Sequence, residues 1–522
     1  MAHDRRIMRT RLACIGAVLV AIVLAGTVGE HTAPAASQAT TTLIAKAQPD
    51  ECFAGIGVPY PAGPPCPAGS TPKVNGSYIW SMVEPPGAVW FGTIHNTICT
   101  AAAESSTTNP TPTQSTSHVC EYASSTYKSS CLPRFRDQRP PHIYRYDINA
   151  GTLVDKSPLS DSRLKTAIGI RFGARNNGVI LFGGPDCARF GVDMFAFDET
   201  TGAYLGSTSL SYADLRRSVV VGGVLYVGVK TTTGGGAVLR WTGDKKRPFQ
   251  FTQVGTLEAE VSELAEYQGR IVAGTWPNLP NYTTGNGPHA ALFLSPAIPS
   301  GGLTSSNAGQ WTKVWSIDNY DPDYLTASKN GIGTMREFGG YLYFGTMQQG
   351  PATTIHENVY GTDTTGFRST GSNRPIAIFR ASNLGSGNLQ VQLLYGETLL
   401  WVEKPANVWT QVDNIMHATP LYGASGFGNT RNWYEWSMAS FDGHLYVGTL
   451  DYRGADLWEF PDTDSAAVPI TQDGFGNTTN YGIRSMSADA GGIWIGTANG
   501  SNLRTDPANP PLGGWELIRL TP

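Results

Sequence analysis

The chain has 522 residues with 61 Gly, 34 Pro, 10% aromatic and only 15% charged residues. That turn-rich, charge-poor composition argues for an all-β chain and against a helical one. The formal net charge of −4 is small for this length, and no basic stripe interleaved with aromatics is present, so nucleic acid is not the expected partner.

Residues 1–39 read as a secretory signal peptide. Arg5, Arg6, Arg9 and Arg11 precede an apolar core over about 13–26, and small residues follow. Ala33-Pro34-Ala35 or Ser37-Gln38-Ala39 supplies a small-x-small cleavage site. The core is too short for a comfortable span, so no membrane span is expected after cleavage; an uncleaved N-terminal anchor is the alternative. A Cys/Pro-rich segment, 40–76, comes next. Cys52, Cys66, Cys99, Cys120, Cys131 and Cys187 form an even set, all before residue 190. In an exported chain they predict disulfides rather than a metal cluster, and the favoured pairs are Cys99–Cys187, Cys120–Cys131 and Cys52–Cys66. Cys99, or a neighbour in its loop, is expected to reach Cys187 because Cys99 and Cys187 both follow equivalent second strands of adjacent repeats.

From 77 to 522 one frame recurs. In "HLYVGT" (444–449) apolar and other side chains alternate with a period of two, and the preceding Asp442-Gly443 is a tight-hairpin signal. The same frame stands at 79–93, 168–184, 215–229, 261–275, 332–346, 435–449 and 483–497, with a Gly in register at Gly92, Gly183, Gly228, Gly274, Gly345, Gly448 and Gly496. The intervals Gly183–Gly228, Gly228–Gly274 and Gly448–Gly496 are 45 to 48 residues, the length of one four-stranded blade. The frame predicts a seven-bladed β-propeller of four-stranded antiparallel meander blades, with an open sandwich as the alternative. "WTKVWSI" (311–317), "FTQVGTL" (251–257) and "WELIRLT" (515–521) read as fourth strands.

Insertions break the spacing at 94–140, 347–375 and 393–425. The first two join second to third strands, on the face that also carries the blade-to-blade connections. Long loops of this kind are commonly functional. The third is aromatic and reads as a flap or extra hairpin. The sixth and seventh blades show only "LDYRGA" and "ANGSN", which predicts an open side of the rim.

The units "GFGNTRNWYEWSMASFDGHLYVGTLDYRGADLWEF" (426–460) and "GFGNTTNYGIRSMSADAGGIWIGTANGSNLR" (474–504) resemble a secreted bacterial propeller repeat. Its scheme is GFG-[DN]-x-x-N, then M-x-x-F-x-G-x-LYVGT, then a Gly-containing turn and an LWR-like strand. "IWIGT" (493–497) resembles, more loosely, the "LWIGT" strand of two-component-regulator sensor propellers. The close match covers the last three blades. The resemblance implies a fold and no assigned activity.

Motifs for common chemistry are missing: G-x-S-x-G, HExxH, a P-loop and a Rossmann fingerprint do not occur. Asp318, Asp321 and Asp323 gather hard oxygens that suit Ca²⁺, the one cofactor considered, but lack the rest of a calcium loop. His356, Glu357 and Tyr360, with His289 on the neighbouring blade, are candidates for general acid–base work. Trp276, Arg431, Trp433 and Arg453 are candidates for stacking and hydrogen bonding at the rim. The expectation is a secreted, monomeric, non-catalytic binding propeller for an extracellular or cell-surface glycan or protein. The alternative is an extracellular polysaccharide lyase or hydrolase.

Overall fold

The computed structural model describes residues 39–61, 63–104, 110–122, 131, 137–187, 191–278, 284–405, 407–505 and 512–521. All of the expected signal segment except Ala39 lies outside the described residues. Strand pairing yields antiparallel four-stranded meanders in chain order. The first is Gly76–Val83, Ala88–His95, Ile143–Asp147 and Thr152–Asp155. The second is Phe172–Asn176, Val179–Pro185, Val192–Asp198 and Tyr204–Leu210. The third is Tyr212–Val221, Val224–Thr231, Gly236–Trp241 and Phe251–Leu257. The fourth is Val261–Tyr267, Arg270–Thr275, Ala291–Leu294 and Thr312–Ser316. The fifth is Asn330–Phe338, Tyr341–Gln348, Ile378–Ser382 and Gln390–Tyr395. The sixth is Tyr434–Phe441, His444–Leu450, Leu457–Phe460 and Val468–Thr471.

The seventh departs from the expected order. Gly482–Asp489 and Gly492–Ala498 are followed by Glu516–Thr521 as the third strand, and the fourth is Thr40–Lys46 from the start of the described chain. "WELIRLT" therefore is not a fourth strand, and residues 499–515, not "ANGSN", join the second strand to the third. Lys46 Nζ reaches Glu516 Oε1 at 2.6 Å across this closure. Each first strand touches the first strand of the next meander, and the seventh touches the first. This is a closed β-propeller.

The hairpins between first and second strands explain the local signals. Asn177-Gly178, Gly222-Gly223, Gln268-Gly269, Gly339-Gly340 and Asp442-Gly443 all place two successive residues at positive φ. That is the turn whose twist matches paired strands.

The recurrent Gly has a packing cause. A Cβ on Gly92 would lie 2.2 Å from Ile170, on Gly228 2.4 Å from Val261, on Gly448 2.6 Å from Ile483 and on Gly496 2.6 Å from Ile79. Each aliphatic knob, on a first strand or, for Ile170, just before one, fills the space left by the Gly of the preceding blade. The Thr that follows closes the other end of the ladder. Thr93, Thr275 and Thr449 hydroxyls bond both backbone groups of His142, Ala291 and Asp456 where the third strand begins. The Ser of "WSM" and "RSM" bridges blades: Ser81 donates to the Ile170 carbonyl (2.8 Å), Ser437 to Ile483 (2.8 Å) and Ser485 to Ile79 (3.0 Å). Each such buried bond contributes about 1 kcal/mol net.

One knob is not aliphatic. Glu435 takes that position in the sixth blade, against Gly345, and its carboxyl enters the space beside Gly333. The Thr334 amide donates to Oε2 at 2.5 Å, and the Thr334 hydroxyl bonds Oε1. Burial pushes this carboxyl up to about 8, against the pull of its bonds from Thr334.

The disulfides are Cys52–Cys66, Cys99–Cys120 and Cys131–Cys187. The Cys99–Cys187 and Cys120–Cys131 pairings are thereby corrected. Cys99 lies on the helix Thr97–Glu104, which packs over Val119–Cys120 with 5.3 Å between the paired Cα atoms. The staple from the first insertion to the second blade exists, but Cys131 makes it. Segment 40–76 is tied to the same insertion. Glu51 bonds the buried Lys73 and Arg139, which draw its carboxyl down to about 2 against the upward push of burial.

Peptide mapping of the non-reduced protein is expected to recover these three disulfides; a Cys99–Cys187 peptide would contradict the assignment. A carboxyl whose pKa is raised on folding stabilises below its unfolded pKa and loses that stabilisation as pH rises through the folded value. Stability is therefore expected to fall between about pH 4.5 and 8, by on the order of a few kcal/mol. Glu435→Gln should flatten this part of a melting-temperature profile; an unchanged slope would assign it to other groups.

Candidate functional site

Two insertions and two blade connections enclose a cleft of about 530 Å³ above the fifth blade. One wall is the 347–375 insertion, which contains the helix Thr353–Tyr360. The other is the 393–425 insertion, whose strands Leu399–Lys404 and Val408–Asp413 pair as an extra hairpin. Tyr320 and Asp321 enter from the connection between blades four and five, and Arg431 and Trp433 from the approach to blade six. The cleft opens on the face that carries the insertions.

Its floor is held by a buried ion pair. Arg374 reaches Asp321 at 2.8 and 3.2 Å and donates also to the carbonyls of Trp401 (2.8 Å) and Gly371 (2.8 Å). Burial raises the Asp321 carboxyl against the pull of Arg374. The Arg374 fork thus fixes the hairpin wall to the floor. Above it, Trp401 and Trp433 are half-buried lining residues, with Asn373, Thr430 and Gln411 among the polar groups. Trp433 meets Tyr452 edge-on at 6.0 Å, and Tyr452, 63% exposed, stacks on Tyr481 at 5.2 Å. Arg431 is half-exposed and held by Asp451 at 3.2 Å. Indole faces beside amide, hydroxyl and guanidinium groups suit a polyhydroxylated ligand.

Of the four expected binding residues, Arg431 and Trp433 line this cleft. Arg453 is exposed on the neighbouring turn. Trp276 instead lies under the guanidinium of Arg216, 3.7 Å from it, and donates to the Ile332 carbonyl, so it packs in the channel. Trp401, Arg374 and Tyr452 were not singled out from sequence. The paired tryptophans of "LLWVEKPANVWTQV" were the available signal for Trp401.

The acid–base candidates take separate partners, although the His356 and Tyr360 rings lie 6.0 Å apart. The His356 side chain is 0% exposed, 2.8 Å from Glu403 and 3.4 Å from Asp323, and its ring faces Trp409. Burial lowers its pKa, against the pull of both carboxylates. Arg368 bonds Glu403 beside it. This is a structural node joining helix and hairpin. Glu357 is exposed, and Tyr360 packs against Leu325 and Ile355. His289 is buried on Asp318 (2.6 Å) under the Tyr324 ring, with Nε2 unpartnered.

The three aspartates turn to three different partners. Asp318 takes His289, Asp321 takes Arg374, and Asp323 caps the helix Tyr324–Ala327 through the Thr326 amide. Among the described residues no group of three or more His, Cys, Asp or Glu is set to hold a metal.

No protein-family model matches the chain, and no curated relative does. Solved structures similar to it include the polysaccharide lyase Uly1, at 9% identity and TM-score 0.42, covering 93% of this chain and 99% of that one. The Dos1 propeller aligns at 9% identity and TM-score 0.44, covering 91% and 95%. The β-propeller domain of the Trilobed protease from Pyrococcus furiosus aligns at 8% identity and TM-score 0.32, covering 76% and 96%.

His356→Ala is expected to lower stability by about 2–3 kcal/mol, because it empties a fully buried site and removes one buried partner from Glu403, which keeps Arg368, and from Asp323, which keeps the Thr326 amide. Thermal melts of this variant against Glu357→Ala, which should melt like the parent, check the structural assignment. Equal melting temperatures would return His356 to the list of accessible groups.

Proposed function

We propose that the protein is an exported, non-catalytic propeller that holds an extracellular or cell-surface glycan in the cleft above the fifth blade. The observation that carries this reading is the pairing of Trp401 and Trp433 with Arg431, Asn373, Thr430 and Gln411 in one open cleft of about 530 Å³. Sugar C–H faces stack on indoles while hydroxyls meet the polar rim. The carboxylates there already have partners: Asp321 has Arg374, Asp451 has Arg431, and Glu397 takes the Ser425 hydroxyl at 2.5 Å. Such carboxylates position other groups rather than wait for a substrate proton.

Three disulfides fit an exported protein, and no helix among the described residues is long and apolar enough to cross a membrane. In this reading the mature chain begins near residue 40 and acts as a monomer.

An extracellular lyase or hydrolase is the second reading. The specific observation in its favour is the His289–Asp318 pair, whose Nε2 is unpartnered beside the half-exposed Tyr324. In an acid–base role, Asp318 would hold the imidazole while Nε2 faced a substrate admitted by movement of Tyr324.

A glycan array with the mature protein, followed by product analysis on each hit, tests both readings. Trp401→Ala and Trp433→Ala are each expected to weaken the hit about tenfold, with no product formed by the parent. Product formation abolished by His289→Ala would replace the binding reading with the catalytic one. Undiminished binding in both Trp variants would move the site elsewhere.

A further inference from the structure

The cleft above the fifth blade holds polar groups that its own walls leave unused. Three of its lining residues carry a buried side-chain atom with no hydrogen-bond partner: Asn330 Oδ1, Asn373 Oδ1 and Trp433 Nε1. Asn330 is only 2% exposed. Asn373 gives its Nδ2 to the Thr430 carbonyl at 3.4 Å, which turns Oδ1 away from that carbonyl. Buried polar atoms are rarely left unpaired, because an unpaired one bears its full cost of desolvation.

One residue sets the three around itself. Gln348 is fully buried and stands opposite Asn330 in the strand pairing of the fifth blade. Its amide donates to the Trp433 carbonyl at 3.0 Å. Its side chain brackets Asn373: Nε2 donates to the Ser372 carbonyl at 2.6 Å, and Oε1 accepts from the Arg374 amide at 2.7 Å. Glu397 joins them from the hairpin wall. Its Oε1 accepts from the Ser425 hydroxyl at 2.5 Å and the Ser425 amide at 3.2 Å. The next amide, of Gly426, donates to the Ile376 carbonyl at 2.7 Å, which ties this wall to the segment carrying Asn373.

The charges of the lining point one way. Asp321 has Arg374, and Arg431 has Asp451. Among the described residues Glu397 is the one charged lining residue with no opposite charge in ion-pair range, and its Oε2 accepts no hydrogen bond. The unused groups are therefore three acceptors, one donor and one unmatched negative charge, beside the rings of Trp401 and Trp433. A cation is drawn both to a carboxylate and to indole faces. An acidic sugar would instead meet Glu397 and two amide oxygens, against the one outer edge of Arg431.

We propose that the cleft selects a cationic glycan: an amino sugar whose free ammonium group pairs with Glu397, while hydroxyls of the same glycan donate to Asn330 and Asn373 and accept from Trp433. This inference rests on the glycan reading of the cleft and narrows its ligand to one chemical class.

The full mature protein on an array of gluco-, galacto- and manno-configured chains tests it. Each chain is printed as a matched set with hydroxyl, acetamido or free amino groups at C2, with uronate chains alongside, and titration calorimetry follows on the soluble forms. A free-amino chain is expected to bind at least about tenfold more tightly than its hydroxyl and acetamido twins, and uronate chains no more tightly than the hydroxyl ones. Glu397→Gln keeps an acceptor for Ser425, so it should melt like the parent and bind the amino and hydroxyl twins alike. An amino preference that survives in Glu397→Gln overturns the pairing. Should Glu397→Gln fail to fold, Asn373→Ala decides: a loss of about tenfold in affinity for the amino chain supports the site, and undiminished binding overturns it. Preference for hydroxyl, acetamido or uronate chains that Trp433→Ala weakens keeps the glycan reading and overturns this inference. No binding to any chain overturns both.

Discussion

The ring depends on one repeated close approach. A first-strand aliphatic knob sits where the register Gly of the preceding blade has no side chain, as Ile483 sits on Gly448 and Ile79 on Gly496. A Cβ there would come within about 2.6 Å of its neighbour, closer than packed atoms allow. The spacing between blades is therefore set by glycine, and the Ser437 and Ser485 hydroxyls fix the same interface by bonding the next strand's carbonyls. Because neither face of a meander is covered until it has neighbours, this contact must recur all the way round.

Where the contact is modified, chemistry collects. Glu435 is tolerated as a knob because Gly333 leaves room for its carboxyl and Thr334 supplies two donors. One position further along, arginines on the second, third and seventh blades stack on tryptophans and turn the middle of the channel into a charged layer. The blades thus share one packing rule, while the residues beside the rule differ from blade to blade.

The insertions obey another constraint. The 347–375 and 393–425 segments are long enough to need their own core, and they find it in each other. His356 and Arg368 from one meet Glu403 from the other in a buried cluster, and Trp409 covers the His356 ring. Arg374 then anchors the hairpin to Asp321 of the propeller rim. A cleft bounded by such a cross-braced wall is held open without ligand, which lowers the ordering cost of binding.

Much of this architecture was legible in the residues themselves. Alternation with period two, the Asp442-Gly443 type of turn and the Gly-Thr strand ends are local, and local geometry gives them their meaning. "IWSM", "EWSM" and "IRSM" even display Glu435 at an aliphatic position. Four things had no local signature. The last blade is completed by Thr40–Lys46, whose partner strand lies 481 positions away at Thr40 and Thr521. The cysteine partners depend on which loop turns over which helix. His356 looked like an accessible base because a loop's sequence does not say that a hairpin fifty residues later will bury it. Trp276 looked like a rim residue because its stacking partner, Arg216, belongs to another blade. Pattern within a strand is decided by chain geometry and is visible in sequence; burial, pairing across the ring and the sharing of charge are decided by which segments meet, and only the closed tertiary structure brings them together.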